Sequence, residues 1–224
     1  MTNIEPLRQD IKNPNRLKRH SAGLRFWHWS NTIIITGSLL TVLLNSTLLD
    51  PRSNAEFVLS ELQRAGANVS AKQAGSVSHG LEEKVWDLHI YLGYFLAALF
   101  IFRILLEIFQ RRDQKFMTDL KKAWNQYSTV SKSKLARHEL TVKVLYLIFY
   151  LALTILTLTG LTLVFKNELG IPRNISHSIK EVHGFFMYVV LGFIVLHIAG
   201  VFLAERKDSK GIVSDMINGG VQDY

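Results

Sequence analysis

Apolar residues are concentrated in four runs along the chain, and polar segments separate these runs. They cover about residues 27–49, 85–109, 140–165 and 182–204. Each run has 20 or more residues, and a helix of that length crosses a hydrocarbon core of about 30 Å at about 1.5 Å per residue. Lipid accepts only segments whose backbone hydrogen bonds are satisfied internally. The pattern therefore predicts an all-α integral membrane protein, a four-helix bundle in a single domain over residues 1–224.

The segments between the runs predict little further structure. Residues 54–66 have the apolar spacing of a short amphipathic helix, whereas residues 67–80 are small and polar and are predicted to form a loop. Residues 1–24 are polar and lack the cleavage site of a secretory signal, so we expect a surface arm. Residues 110–138 predict a basic connection anchored at the membrane surface by aromatic residues such as Trp124.

The distribution of Lys and Arg predicts how the helices are oriented. Residues 1–25, 110–138 and 205–224 together contain 17 of them, whereas residues 49–84 and 166–181 contain 7. Because cytoplasmic segments of membrane proteins carry the excess of basic residues, both termini are predicted to be cytoplasmic, in the inner membrane of a bacterium. The net charge of +8 is explained by this topology, so it does not indicate nucleic-acid binding.

The chain contains no cysteine. This excludes disulfides, Cys-ligated iron–sulfur clusters, thiolate zinc sites and haem attached covalently through a C-x-x-C-H motif. A redox or metal centre in this chain must therefore use histidine, methionine or carboxylate ligands.

Histidine supplies the candidate ligands. Of the eight histidines, four lie in polar connecting segments, where a solvated side chain is the expected state. The other four lie inside the apolar runs, where ionisable groups are rare and are usually functional. These four are His28, His89, His183 and His197.

The spacing of these four histidines predicts two pairs. His183 and His197 are fourteen residues apart, so they face the same side of one helix at levels about 21 Å apart. The direction of each span then places His89 with His183 near the outer surface and His28 with His197 near the inner surface. Each pair comes from two different helices at one depth in the membrane.

Two such pairs suit two haem b groups, because a haem iron binds one axial ligand on each side of its ring. Arg103, fourteen residues after His89, and Arg25, three residues before His28, are predicted to bind the propionates of the inner haem. Snorkelling of Arg103 to lipid headgroups is the alternative. A histidine taken alone is equally compatible with a hydrogen-bonded core residue. A zinc site is disfavoured because the two levels are too far apart to supply one tetrahedral ligand set.

Five motifs together resemble one family of membrane proteins. They are "RFWHW" at residues 25–29, "HIYLG" followed by "FR" at 89–103, "TG" at 159–160, "HG" at 183–184 with "H" at 197, and "GIVSDMINGGV" at 211–221. With these motifs the chain resembles the four-helix di-haem b-type cytochrome subunits of nickel–iron hydrogenases, formate dehydrogenases and thiosulfate reductases. The resemblance implies that His28, His89, His183 and His197 ligate haem iron.

The resemblance also implies a quinone site beside the inner haem, near the cytoplasmic end of the third span. Members of the family often have an Asn and a Gln there, whereas this chain reads "RHELTVKV" at residues 137–144. His138, Glu139 and Lys143 are therefore interpreted as residues for quinone binding and proton exchange. A capped, charged helix end is the alternative interpretation.

These features predict a quinone-reactive, electron-transferring subunit of an oxidoreductase complex in the respiratory chain. Electrons pass across the lipid membrane between the quinone pool and an external redox partner, such as a hydrogenase or a similar iron–sulfur subunit, in a direction that the sequence leaves open. A homo-oligomer within such a complex is compatible with this function. Two alternatives remain open: a stand-alone cytochrome that oxidises a small reductant such as superoxide, and a non-redox membrane assembly module.

Overall fold

The computed structural model describes residues 21–109, 115–130, 134–207 and 211–219. The predicted arm at residues 1–24 lies outside this range except for its last four residues. All regular structure in the described residues is helical, which confirms the all-α prediction. The α-helices are α1 (Ala22–Ser46), α2 (Pro51–Arg64), α3 (Ala71–Phe109), α4 (Phe116–Asn125), α5 (Lys134–Val164), α6 (Arg173–Lys207) and α7 (Ile212–Asn218).

Three of these helices, α3, α5 and α6, are each long and apolar enough to cross a membrane. α1 and α2 meet the same criterion together, although the chain bends by 67° between them. The described residues therefore contain three membrane-spanning helices, or four if the bent pair forms one span. This confirms a multi-pass membrane protein, and the side on which each terminus lies stays a prediction.

The helix predicted at residues 54–66 is confirmed as α2, which begins at Pro51. Asp50 caps its N-terminus, because the Asp50 carboxylate accepts a hydrogen bond from the backbone N–H of Arg52 at 3.0 Å. Proline at the first helical position needs no hydrogen-bond partner and already has a helical φ. The exposed side chain of Phe57 lies on this helix.

The loop predicted at residues 67–80 is wrong from Ala71 onward, because α3 begins there. Ser70 and Gln73 form a capping box in which each side chain accepts a hydrogen bond from the backbone N–H of the other, at 3.3 Å and 2.8 Å. α3 has 39 residues and is therefore about 58 Å long, well beyond the roughly 30 Å of a hydrocarbon core. Its first turns extend beyond the span predicted at residues 85–109.

Close packing explains the small residues at the start of α3. Ala74 and Ser78 are both fully buried, and residues four apart share one face of a helix. Their small size thus reflects a packed helix face, although it resembles the composition of a loop.

The described chain separates into two compact units. One unit is Ser30–Leu99, which holds most of α1, all of α2 and most of α3. Within it Gly37 of α1 lies against Leu92 of α3, and a Cβ atom at this glycine would be 3.2 Å from the Leu92 Cδ1 atom. The glycine therefore lets the two helices approach closely. The single domain predicted from the sequence stays a prediction.

The other unit contains the start of α1, the end of α3 and the helices α4 to α7. α5 packs along α6, with the rings of Phe149 and Phe193 stacked at a centroid distance of 4.4 Å. Leu153, one turn after Phe149, is fully buried. α4 packs on α5 through a face that includes the buried Ala123, while Trp124 next to it is 60% exposed.

Candidate functional site

The structure brings His28 of α1 and His197 of α6 together within one unit. The centroids of their imidazole rings are 6.2 Å apart, and the ring planes are inclined by 57°. A metal–imidazole bond is about 2 Å long, so two imidazoles on opposite sides of one metal ion have their centroids roughly 6 Å apart. The separation of His28 and His197 therefore fits axial ligation of one iron from two helices.

Aromatic rings support this pair of histidines. The imidazole of His197 stacks on Phe193, one turn earlier on α6, at 5.6 Å with an interplanar angle of 11°. Tyr146 of α5 lies 6.3 Å from the same imidazole. The ring of His28 meets Trp29 edge to face at 5.1 Å. The pair thus lies in apolar, aromatic surroundings that suit a porphyrin.

Threonine hydroxyls contact the other two histidines. In the unit Ser30–Leu99, the Oγ1 atom of Thr41 on α1 lies 2.8 Å from Nδ1 of His89 on α3. In the other unit, Oγ1 of Thr159 on α5 lies 2.9 Å from Nδ1 of His183 on α6. His89 and His183 belong to different units, so their pairing stays a prediction.

A glycine makes room for the imidazole of His183. A Cβ atom at Gly160 would lie only 3.2 Å from the His183 Cε1 atom, closer than nine in ten such contacts in proteins. Glycine at this position lets the ring lie directly against the backbone of α5. The donor set fits haem as well: imidazoles on apolar helices, in a chain without cysteine.

Arg103 is buried inside the protein, with 7% of its surface exposed. Its Nε atom donates a hydrogen bond to the Tyr150 hydroxyl at 3.0 Å, and Nη1 donates to the Glu107 carboxylate at 3.1 Å. The guanidinium also lies over the ring of Trp27, 5.7 Å from its centroid. These contacts favour an interior role for Arg103 over snorkelling to lipid headgroups.

Arg25 and Trp29 of α1 hold the C-terminal helix α7. The Arg25 Nη1 atom donates a hydrogen bond to the Ile217 carbonyl, and the Trp29 indole N–H donates to the Met216 carbonyl at 3.1 Å. Carbonyls in the last turn of a helix have no partner within the helix, so α1 satisfies the end of α7. The buried Arg25 Nε atom has no hydrogen-bond partner in the described residues, which is compatible with its predicted contact to a propionate.

We expect Trp29→Phe to loosen α7, because phenylalanine keeps the ring beside His28 but removes the indole donor. A lost hydrogen bond of this kind costs about 1 kcal/mol, so amide hydrogen exchange in α7 should accelerate about fivefold. Trp124→Phe is the matched control, since Trp124 is exposed on α4, and it should leave exchange in α7 unchanged. Equal exchange in both variants would contradict this role of Trp29.

The residues predicted for quinone binding lie at the start of α5. His138 is exposed and Glu139 is half-buried. The amine of Lys143 pairs with the Asp119 carboxylate of α4, with 3.6 Å between Nζ and Oδ2. Asp119 is also 3.8 Å from the amine of Lys122. The structure therefore adds Asp119 to this cluster. Asp119 lies on α4, so it could have been found from the sequence only if α4 had been predicted as a helix.

Comparison with known proteins agrees with the geometry. The chain matches the family described as prokaryotic cytochrome b561 over residues 19–219, whereas no curated protein and no solved structure matches it. The match covers every described helix, and it confirms the resemblance drawn from the five motifs. The chain therefore belongs to the prokaryotic cytochrome b561 family and is a b-type cytochrome that spans a prokaryotic membrane and acts in electron transfer.

Proposed function

We propose that the protein is a di-haem cytochrome b that carries electrons between an external redox partner and the quinone pool. His28 and His197 hold the inner haem, and His89 and His183 hold the outer haem. The observation that carries this proposal is the 6.2 Å separation of the His28 and His197 rings. When bound, the two haems supply one-electron oxidation and reduction at two depths of the membrane.

The paired imidazoles of His28 and His197 explain why the proposed reaction is electron transfer. Two imidazoles bound to one haem iron would leave no position for oxygen or for a substrate, so His28 and His197 would restrict the chemistry of the haem to electron transfer. The aromatic rings of Phe193 and Tyr146 lie against the imidazole of His197. The protein therefore holds the two proposed ligands on separate helices, α1 and α6.

The charged residues at the same end of the protein have two roles in this proposal. Arg103 and Arg25 provide N–H donors for the haem propionates, since a guanidinium has five such donors and Arg103 uses Nε and Nη1 for Tyr150 and Glu107. His138, Glu139 and Lys143, now joined by Asp119, bind the quinone and exchange protons with the cytoplasm. Both termini are cytoplasmic in this arrangement.

An iron–sulfur subunit of a hydrogenase or a similar enzyme is the proposed partner on the external face. The basic residues concentrated on the opposite side support this topology through the positive-inside rule. Affinity purification from mild detergent should recover such a subunit in a fixed ratio to the cytochrome. Recovery of the cytochrome alone, reducible by superoxide, would instead indicate the stand-alone enzyme.

The haem content of the purified full-length chain tests the proposal directly. We expect a reduced-minus-oxidised spectrum of haem b and about two haems per chain, quantified as the pyridine haemochrome. Added quinol should reduce part of this haem. A chain without haem would indicate a non-redox assembly module, and a single haem would overturn the di-haem proposal.

A further inference from the structure

The hydroxyl groups of Thr41 and Thr159 are placed so that the position of their hydrogen atoms can be assigned. Thr41 Oγ1 lies 2.6 Å from the Ser38 carbonyl oxygen in its own helix, and Thr159 Oγ1 lies 2.6 Å from the Ile155 carbonyl oxygen. A carbonyl can only accept a hydrogen bond, and a hydroxyl has one hydrogen to donate. Each threonine therefore donates its hydrogen to the carbonyl of its own helix.

The hydrogen bond between each threonine and its histidine must then run in the opposite direction. With its hydrogen engaged, Thr41 Oγ1 accepts from Nδ1–H of His89, and Thr159 Oγ1 accepts from Nδ1–H of His183, at 2.8 Å and 2.9 Å. A neutral imidazole with hydrogen on Nδ1 has its lone pair on Nε2. Nε2 is thus the ligating atom in both histidines.

We propose that Thr41 and Thr159 are positioning residues that fix the tautomer and the ring orientation of His89 and His183 for ligation of the outer haem through Nε2. An acceptor on the far nitrogen of a ligating imidazole also makes the imidazole a stronger electron donor to the metal. The two threonines thereby stabilise the oxidised iron and lower the reduction potential of this haem. This inference rests on the proposed role of His89 and His183 as ligands.

Thr159 and Gly160 act together on one imidazole. Thr159 orients the ring of His183 through Nδ1, and the neighbouring Gly160 leaves the space in which Cε1 of that ring lies. Two adjacent residues of α5 therefore determine both where the imidazole lies and which nitrogen is available. This gives the "TG" pair at residues 159–160 a physical function.

Thr159→Val tests this inference, because valine keeps the shape of threonine and removes the hydroxyl. Loss of a hydrogen bond to a ligating imidazole weakens ligation by about 10- to 100-fold. We expect the outer haem to transfer to excess apomyoglobin at least tenfold faster than in the parent protein, and its midpoint potential to rise. Thr159→Ser retains the hydroxyl and should keep both values at those of the parent protein. Thr41→Val should change both values in the same direction as Thr159→Val.

Thr154→Val is the matched control on the same helix. Thr154 is also partly buried, but its hydroxyl donates to the Tyr150 carbonyl of α5 at 2.7 Å and it has no part in the proposed site. This variant should leave both haems unchanged. Correct folding of each variant is shown by an unchanged spectrum and potential of the inner haem.

The possible outcomes separate this inference from the proposed function. A parent protein with two haems, in which Thr159→Val leaves the transfer rate and the potential of the outer haem unchanged, overturns the role of the threonines alone. Equal changes in the Thr154→Val and Thr159→Val variants overturn it as well. A parent protein with fewer than two haems overturns both the proposed function and this inference.

Discussion

Replacement of His197 by alanine is expected to lower the haem content from about two haems per chain to about one. Under the proposed function, alanine would remove one of the two imidazoles that hold the inner haem, and a haem held by one ligand alone would dissociate during purification. His28→Ala should give the same result, because His28 and His197 face each other at 6.2 Å. The pyridine haemochrome measures the stoichiometry, and electron paramagnetic resonance identifies the haem that remains.

Double variants test the pairing more sharply than single ones. If His28 and His197 share one haem, the double variant His28→Ala/His197→Ala retains one haem, whereas His28→Ala/His183→Ala retains none. His89→Ala and His183→Ala should each remove the outer haem and leave the inner haem intact. His79→Ala is the control, because His79 is exposed and pairs with Glu82 of its own helix. Loss of all haem from His28→Ala/His197→Ala would contradict the pairing.

The sequence predicted the membrane helices because lipid imposes a length and a composition that leave a clear pattern. It also predicted that His28 and His197 lie close together, since helical geometry relates residue number to depth. The described residues locate this pair within one unit. The pairing of His89 with His183 depends on how two units are arranged, and it stays a prediction.

Helix ends outside the membrane were predicted poorly. α3 begins fourteen residues before the predicted span, although the Ser70–Gln73 capping box was a readable signal. α4 and α7 were not predicted as helices. Short helices depend on their partners for stability: α4 packs on α5, and α7 is held by Arg25 and Trp29.

The threonines beside the histidines could not be selected from the sequence. Threonine in an apolar helix commonly bonds to a carbonyl of its own helix, as Thr154 and Thr162 do. Thr41 and Thr159 make the same bond, and only the relative rotation of neighbouring helices shows that they also contact imidazoles. The interaction of Arg103 with Glu107 was easier to predict from the sequence, because the two residues are four apart on one helix.

Arg103→Leu is expected to destabilise the protein by about 3 kcal/mol, because it leaves the Glu107 carboxylate without its cationic partner in a mostly buried position. The value lies at the low end for a buried pair because the Glu107 side chain is 26% exposed. The Tyr150 hydroxyl also loses a donor. The free energy of unfolding in detergent, followed by circular dichroism, measures the effect. Lys84→Leu breaks an exposed pair with Asp87 on the same helix and should cost less than about 1 kcal/mol.

The double variant Arg103→Leu/Glu107→Leu distinguishes a buried charge pair from simple loss of packing. Removing both charges leaves no carboxylate in the low-dielectric interior, and replacing a buried pair by apolar residues is often neutral. We therefore expect the double variant to recover most of the stability lost in Arg103→Leu. A double variant as unstable as the sum of the two single variants would show that Glu107 and Arg103 stabilise the protein independently of each other.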